Sequence, residues 1–520
     1  MNDHQTTPPK SLSPLIRLIG WATLVSAFGV GVVLVAHDLL SGHTSPYTGV
    51  LTYMLVPGFI GLGIFLILWG WYLRFRFKKK YGDTPAISFI IDLNDPSHLK
   101  RIVTVAVVLL VFGSVSAIGG YRSFHYTEST EFCGLVCHQV MVPEYTTYSH
   151  SPHARVACVE CHIGAGAEWY ARAKLSGLRQ VYAYLANTYH LPIDTPVANL
   201  RPARETCEEC HWPEKFTGNL EKTKTYYLRD EENTPYTMRM LLKVGGGHGE
   251  HASGIHWHVT SGHKIEYITT DTKRRVIPWI KMTDPDGTET VFTSEDFDPE
   301  ILDSTHEMRT MDCIDCHNRP SHVFKDPEHL LNAAMDRRDI DPAIPSVKDT
   351  AMTLLEEPYP STEKALETIQ QTFEETYLAD GELEGTTLET SVKKAMETLQ
   401  TLYQENFFPE MGVDWTTHPN FQGHFHWDGC YRCHDGSHTS ETGEVISHDC
   451  NNCHTIIAQG EGLEAIREMT FEAQEFYHPM DMGPLDEGDN CSDCHAAPEP
   501  TDYHSLQGET MEVSMGVTER

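Results

Sequence analysis

All fourteen cysteines fall into seven short motifs, and each motif ends in Cys-His. Six read Cys-x-x-Cys-His: Cys158/Cys161/His162, Cys207/Cys210/His211, Cys313/Cys316/His317, Cys430/Cys433/His434, Cys450/Cys453/His454 and Cys491/Cys494/His495. The first, Cys133/Cys137/His138, carries one extra residue between its cysteines. This spacing is the attachment signature of c-type haem. Two thiols form thioethers to the haem vinyls, and the histidine that follows lies under the ring to bind iron. Zinc sites join two Cys-x-x-Cys pairs, and seven pairs cannot be matched off. A disulfide framework does not need a histidine after every second cysteine. The motifs therefore predict seven covalently bound haems and a chain that moves electrons, the longer loop at Cys133 being the least regular of the set.

Thirty histidines are present, and seven are accounted for as proximal ligands. A low-spin relay haem needs a sixth ligand, in multihaem proteins most often a second histidine, and bis-histidine ligation gives lower potentials than Met/His. Candidates lie close to the motifs: His150 and His153 before the second, His306 and His322 around the fourth, His424, His426 and His438 around the fifth, His448 before the sixth and His478 before the seventh. A further group, His251, His256 and His258, lies between the third and fourth, and His258 is taken from it as a ligand. His4, His98, His329 and His504 read as surface residues.

The haems must be positioned outside a membrane. Residues 18–36, 50–73 and 102–120 carry no charge, and each matches the roughly 20 residues that a bilayer core requires. Lys10 and Arg17 precede the first span, and Arg74, Arg76, Lys78, Lys79, Lys80, Lys100 and Arg101 fill the loop between the second and third, while residues 38–49 hold no Lys or Arg. The positive-inside rule then puts the N-terminus in the cytoplasm and delivers the chain to the periplasm after the third span. Haem attachment in bacteria takes place on that side. No span holds a pair of histidines deep in its apolar run, so no b-haem is expected. The net charge is −34. Residues 1–101 hold nine Lys/Arg against five acids, a balance of +4, which leaves −38 for the rest. A field of that sign repels nucleic acid and suits partners with basic docking faces.

The fold class expected is a membrane-anchored multihaem cytochrome c. It has three transmembrane helices and a mainly α/loop periplasmic haem domain with a small antiparallel β insert. The divisions are a three-span anchor at 1–120 and a region with haems 1–3 at 121–212. A β-rich insert follows at 213–306, then a haem 4 region at 307–345 and a helical segment at 346–410. Haems 5–7 occupy 411–500 and a polar tail 501–520. Residues 167–187 read as a helix with mixed faces. Residues 264–269, 276–282 and 288–293 read as strands, the last two joined by the turn Asp284-Pro285-Asp286-Gly287. One helix starts with Ser361 as its cap, and another spans 387–408.

The stretch from Cys133 to His211 resembles the NapC/NirT family of membrane-anchored multihaem quinol dehydrogenases. Ser151-Pro152-His153-Ala154-Arg155-Val156-Ala157-Cys158 through His162 is similar to the family's second haem region. Met311 through His322 and Gly429 through His438 are similar to later haem sites of its larger members. Trp169 and Lys174 match the aromatic and lysine near the family's quinol site. The resemblance implies that Lys174 holds or polarises the quinol oxygen, where a bare reading of the residue is an interfacial lysine. It also implies that a methionine shortly after the first Cys-His ligates haem 1. Here Met141 is one residue further along than usual, which leaves His138 or Met141. The family's aspartate two helical turns after the lysine is missing, because residues 175–185 hold no acid, so a nearby histidine or water is the expected base.

The expected function is oxidation of menaquinol at the periplasmic face of the inner membrane, with electrons passed through the haems to periplasmic c-type cytochromes or a reductase in anaerobic respiration. Menaquinol is the donor, and the membrane menaquinone pool is the partner. The rivals are a terminal reductase of a small nitrogen oxyanion, which needs a haem with an open iron position, and a conduit subunit of a larger complex.

Overall fold

The structure, a computed structural model, describes residues 13–41, 56–82, a few positions within 95–107, and 121–507 apart from short stretches, of which 196–201, 463–468 and 481–489 are the longest. Two compact units are present: Met1–Ser129 with His162–Gln180, and Thr130–Cys161 with Val181–Arg520.

In the first unit, helix α1 (Ser13–Ser41) packs on α2 (Val56–Tyr81). Both are long and apolar enough to cross a membrane, and their outward side chains, such as Val25, Phe28, Phe65 and Trp71, are bare. The approach uses small residues. A Cβ on Gly20 would stand 2.9 Å from the Ile67 nitrogen, and one on Gly63 2.9 Å from the Leu24 nitrogen. Without a hydrophobic drive between helices in lipid, such close backbone contact supplies the attraction. Where the sequence suggests a span ending at 73, α2 runs on through the basic Lys78–Lys80 cluster. Of the expected third span only positions 103, 104 and 107 are described, all helical, and the remainder lies outside the described residues.

In the second unit two antiparallel sheets form. The first has the order β1 (Leu220–Tyr227), β2 (Pro235–Leu242), β8 (His454–Glu461). The second has the order β6 (Arg309–Thr310), β3 (Lys264–Ile268), β4 (Trp279–Thr283), β5 (Glu289–Thr293), β7 (Thr439–Ser440). The β4–β5 turn is closed by Gly287 N to Asp284 O at 2.9 Å, with Gly287 at φ +90°, where glycine carries no Cβ penalty. The sheets are not confined to the insert. β6, β7 and β8 come from beyond residue 306, because an edge strand leaves backbone groups unpaired until another segment covers them. Each of these late strands adjoins a Cys-His motif. β8 starts at His454 itself, and Lys243 N bonds Cys453 O at 2.8 Å. β6 leads into Cys313 through Met311 N to Ile265 O at 2.8 Å.

The second unit also holds a cysteine-free helical bundle. Its helices are α5 (Pro327–Asp336), α6 (Val347–Glu356), α7 (Thr362–Phe373) and α8 (Thr387–Asn406); α3 (His138–Ser149) precedes them in the same unit, while α4 (Ala167–Leu185) lies mostly in the first unit. Asp326, Ser361 and Thr386 cap α5, α7 and α8, each side chain accepting from a backbone N–H of the first turn. Apolar residues at helical spacing give one dry core: Leu331, Met335, Ala351, Ile369, Phe373, Ala395 and Leu399 are fully buried. Lys348 is wholly buried too, and Nζ reaches Asn332 Oδ1 at 2.9 Å and Glu328 Oε2 at 3.1 Å. Asn332 Oδ1 also accepts the Tyr227 amide at 3.0 Å, so this polar knot fastens β1 to the bundle. Burial pulls the Lys348 pKa down, and Glu328 opposes that shift. Ile369→Ala is expected to destabilise the bundle by about 2–5 kcal/mol, read as a lower thermal midpoint of the far-ultraviolet helix signal at unchanged haem content.

Candidate haem ligand sites

The first motif departs from the others in shape as well as in spacing. A short helix, Thr130–Leu135, carries Cys133 and runs into the spacer, and α3 begins at His138. Gly134 lies against Tyr145, where a Cβ would fall 2.1 Å from the ring. Only glycine fits there, which explains part of the longer loop. Met141 is half-buried on α3.

At five of the other motifs the fold brings a second histidine opposite the first. His153 faces His211 with ring centres 6.1 Å apart, and His256 faces His317 at 6.4 Å. His258 faces His434 at 5.8 Å, His424 faces His454 at 6.0 Å, and His478 faces His495 at 6.2 Å. A metal–imidazole bond of about 2 Å on each side, plus about 1 Å from nitrogen to ring centre, requires about 6 Å between such rings. The residues present therefore fit an iron between each pair. The ring planes are near parallel in His256/His317 (5°), His424/His454 (14°) and His478/His495 (18°). They are near perpendicular in His153/His211 (79°) and His258/His434 (87°).

The opposing rings are also oriented. Nδ1 of His256 bonds Val244 O at 3.0 Å, Nδ1 of His258 bonds Ile255 O at 2.8 Å, and Nδ1 of His153 bonds Pro320 O at 3.2 Å. His478 uses Met480 O at 3.1 Å. Tying Nδ1 to a carbonyl fixes the tautomer and leaves Nε2 for a metal. Burial pushes the His258 pKa down, and burial with neighbouring His454 pushes His424 down to about 4, so both rings are neutral, as a ligand must be. His322 is anchored in the same way, Nδ1 to Glu144 O at 2.9 Å.

Other expected ligands stand differently. His438 spends both ring nitrogens, Nδ1 on Asp435 Oδ1 at 2.8 Å and Nε2 on Ile277 O at 2.7 Å, which holds it as a brace between a haem loop and the sheet. His448 stacks on Tyr431 and shares Nε2 with Asn490 Oδ1 at 2.9 Å. His426 bonds His495 O through Nδ1 at 2.8 Å and stands 3.3 Å from the Asp326 carboxylate through Nε2. His306 and His251 are exposed. His150 bonds Thr146 O and Glu405. His256 belongs to the insert's histidine group, from which the sequence singles out only His258. The two flank Trp257 at the start of one helical turn, so they point at different motifs.

The residues between paired cysteines join one motif to the next. Arg432 donates to Asp315 O at 2.6 Å and to Arg274 O at 2.8 Å, and its guanidinium lies 3.6 Å over Phe421. Asp315, buried, accepts from Tyr267 Oη at 2.7 Å and from Arg309 Nε at 2.6 Å. Thiols of successive motifs are close enough to perturb one another in Cys133/Cys158, Cys207/Cys313 and Cys430/Cys453, and Tyr431 Oη stands 3.9 Å from Cys450 Sγ.

The fold covers the two cysteines of a motif unequally. Cys137 is half-buried at the turn that opens α3, its carbonyl accepting the Met141 amide at 3.1 Å. Cys210 and Cys494 are exposed, while their motif partners Cys207 and Cys491 are partly covered. Local structure is the reason. Cys207 closes the short helix Ala203–Cys207, and Cys210 lies one turn past its end, its amide on Cys207 O at 3.1 Å. Cys491 opens the helix Cys491–His495 beside its capping Asn490, and Cys494 is at the far end of that single turn.

Residues 95–196 match the NapC/NirT cytochrome c family, N-terminal region. The chain is 41% identical over 487 residues to the cytochrome c-type protein ImcH of Geobacter sulfurreducens, covering 93% of this chain and 95% of that one. It is 31% identical over 115 residues to the cytochrome c-type protein NrfH of Wolinella succinogenes, covering 22% of this chain and 63% of that one. The chain belongs to the NapC/NirT cytochrome c family. No solved structure matches it. As a NapC/NirT cytochrome it is a membrane-anchored multihaem c-type cytochrome and an electron-transport oxidoreductase, and α1 and α2 are apolar helices of the kind such an anchor needs.

Two substitutions separate the roles of neighbouring histidines. His438→Ala is expected to leave the ferric low-spin haem spectrum of this NapC/NirT cytochrome unchanged while lowering its thermal midpoint, since it removes one buried and one part-buried hydrogen bond worth about 1 kcal/mol each. His258→Ala is expected to do the reverse at one haem, opening a position that binds carbon monoxide.

Proposed function

We propose that the chain is a seven-haem menaquinol dehydrogenase of the inner membrane that hands electrons from menaquinol to periplasmic cytochromes. The observation that carries this reading is the set of five histidine pairs with ring centres 5.8–6.4 Å apart. A haem closed on both faces by imidazole has no position for a substrate, so it relays electrons and does not reduce an oxyanion. In this reading His153 serves haem 3, His256 haem 4, His258 haem 5, His424 haem 6 and His478 haem 7, each opposite its motif histidine. His162 holds haem 2, and His138 or Met141 completes haem 1. Both cysteines of every motif form thioethers, the half-buried Cys137 and the exposed Cys210 and Cys494 included. When bound, these haems accept and pass single electrons.

The neighbouring thiols of Cys133 and Cys158, Cys207 and Cys313, and Cys430 and Cys453 support electron exchange within three haem pairs, 1 with 2, 3 with 4 and 5 with 6. The membrane end is supported by α4. Leu175, Leu178, Tyr182 and Leu185 form an exposed apolar stripe along it, and Lys174, Arg172 and Arg179 lie beside that stripe in sequence. A helix of this pattern lies in a membrane surface. Trp169, with the Arg172 guanidinium 5.1 Å over its ring, and Lys174 are the residues proposed to hold the quinol.

Spectroscopy and kinetics test this together. Near-parallel imidazole planes split the iron d orbitals and give a rhombic low-spin resonance, whereas perpendicular planes cancel the splitting and give a large maximum g value. Electron paramagnetic resonance of the oxidised protein is expected to resolve at least two haems of the second kind and three of the first. In membrane vesicles a menaquinol analogue is expected to reduce the haems, and a quinol-site inhibitor to block that reduction while dithionite still works. No reduction by quinol in intact membranes would overturn the reading.

A further inference from the structure

Lys174 is not alone on its helix face. Its ammonium is paired with the carboxylate of Glu128, whose Oε1 accepts the contact. Glu128 is 9% exposed, and its second oxygen, Oε2, is buried with no hydrogen-bond partner. A buried carboxylate oxygen left without a donor is costly and uncommon, and such a group asks for an explanation. The surroundings are aromatic. The Lys174 ammonium lies 5.2 Å over the Tyr170 ring, Tyr170 packs on Phe124 at 6.4 Å, and Glu128 N bonds Phe124 O at 3.2 Å. Glu128 stands five residues before Cys133 in the chain. The helix after Lys174 offers no acid through residue 185, so the carboxylate this lysine meets comes from outside its own helix.

We infer that Glu128 is the proton acceptor for quinol oxidation, with Lys174 as the residue that pairs with its carboxylate and aims it. The inference rests on the quinol reading above and adds the residue that reading lacks. A quinol that becomes a quinone loses two protons and two electrons, and two O–H bonds break. The electrons go one at a time to ferric c-type haem as oxidant. The first proton passes from a quinol hydroxyl to Oε2 of Glu128, forming its carboxylic acid. Glu128 then releases that proton to the periplasmic water that reaches the partly exposed Lys174 side of the pair, and returns ionised for the second. Oε2 fits this task because no other donor claims it.

The test compares full-length Glu128→Gln, Glu128→Asp and parent protein in membrane vesicles. The readouts are haem content, reduction by dithionite, binding of a hydroxyquinoline N-oxide by fluorescence quenching, and the stopped-flow rate of haem reduction by menadiol. Glu128→Gln keeps shape and hydrogen-bonding capacity but accepts no proton. Its menadiol rate is expected to fall about 100-fold, with haem content, dithionite reduction and inhibitor affinity within about threefold of parent, while Glu128→Asp falls between the two. If parent is reduced by menadiol and Glu128→Gln is reduced as fast, the inference is wrong and the quinol reading stands. If parent itself is not reduced, the quinol reading fails first. Should Glu128→Gln not mature, an unchanged rate in Glu128→Asp, whose carboxylate is withdrawn by one methylene, overturns the assignment.

Discussion

Six ångströms between two imidazoles is the dimension around which the outer part of this chain is organised. The motif delivers one histidine to each haem through local sequence alone, because Cys-His adjacency fixes it. The other has to arrive from elsewhere in the fold and stop at the right distance. His256 and His258 do this from a single turn, each with Nδ1 tied to a carbonyl within reach of the same backbone. Two histidines so close in the chain face two motif histidines that lie 117 positions apart in sequence, His317 and His434. The glycines just upstream serve the same placement. A Cβ at Gly246 would fall 1.4 Å from the Phe216 carbonyl oxygen, and Phe216 in turn packs on His256 at 4.5 Å. The Gly245–Gly247 run is therefore a close backbone crossing, where sequence composition alone reads as a loose loop.

The late strands and the bundle supply the rigidity this spacing demands. A chain that must surround several flat cofactors has few apolar side chains left to bury among themselves near the motifs, so stability has to come from elsewhere. The bundle is that source: it contains no cysteine, has its own dry core, and is joined to the haem-bearing segments through Asn332 and Tyr227 on β1 and through α8 packed on α3. The sheets carry the constraint onward, since β8 begins on a proximal histidine and β6 runs directly into a motif. Arg432 and Asp315 then join the fourth and fifth motifs through hydrogen bonds made by residues that the attachment chemistry itself leaves free to vary.

Local pattern is enough to read the attachment motifs, the apolar helices, the strands at 264–293 and the cap at Ser361, because each is encoded within a few residues. Partners across the chain are not legible in that way. Sequence places His153 beside the second motif, yet it faces His211 of the third, and His438, four residues after His434, braces Ile277 instead of facing an iron. Proximity in sequence is a poor guide where the ligand comes from tertiary structure. Spacing is equally silent on which thiol of a motif the fold covers, so the open positions of Cys210 and Cys494 emerge only from the helices that end or begin beside them. The strands β1 and β2 carry little signal of their own, since Lys-Thr-Lys-Thr in β1 is polar on both faces and gains its order from pairing with β2. Glu128 escapes a sequence reading for the same reason as His256: its signal is a contact with Lys174, 46 residues away.

The lysine–glutamate pair also bears on how one family's chemistry survives a change of residue. In helix α4 the exposed apolar positions after Lys174 are leucine, tyrosine and valine, with Arg179 and Gln180 exposed beside them, the mixture that a helix resting in a membrane surface requires. An acid placed two turns along that stripe would have to be buried in lipid headgroups or turned away from them. Glu128 approaches from a different segment and reaches the lysine's ammonium without interrupting the stripe. Membrane contact and proton acceptance thus fall to separate stretches of chain. The helix keeps its apolar stripe, and the carboxylate meets the Lys174 ammonium from outside that helix.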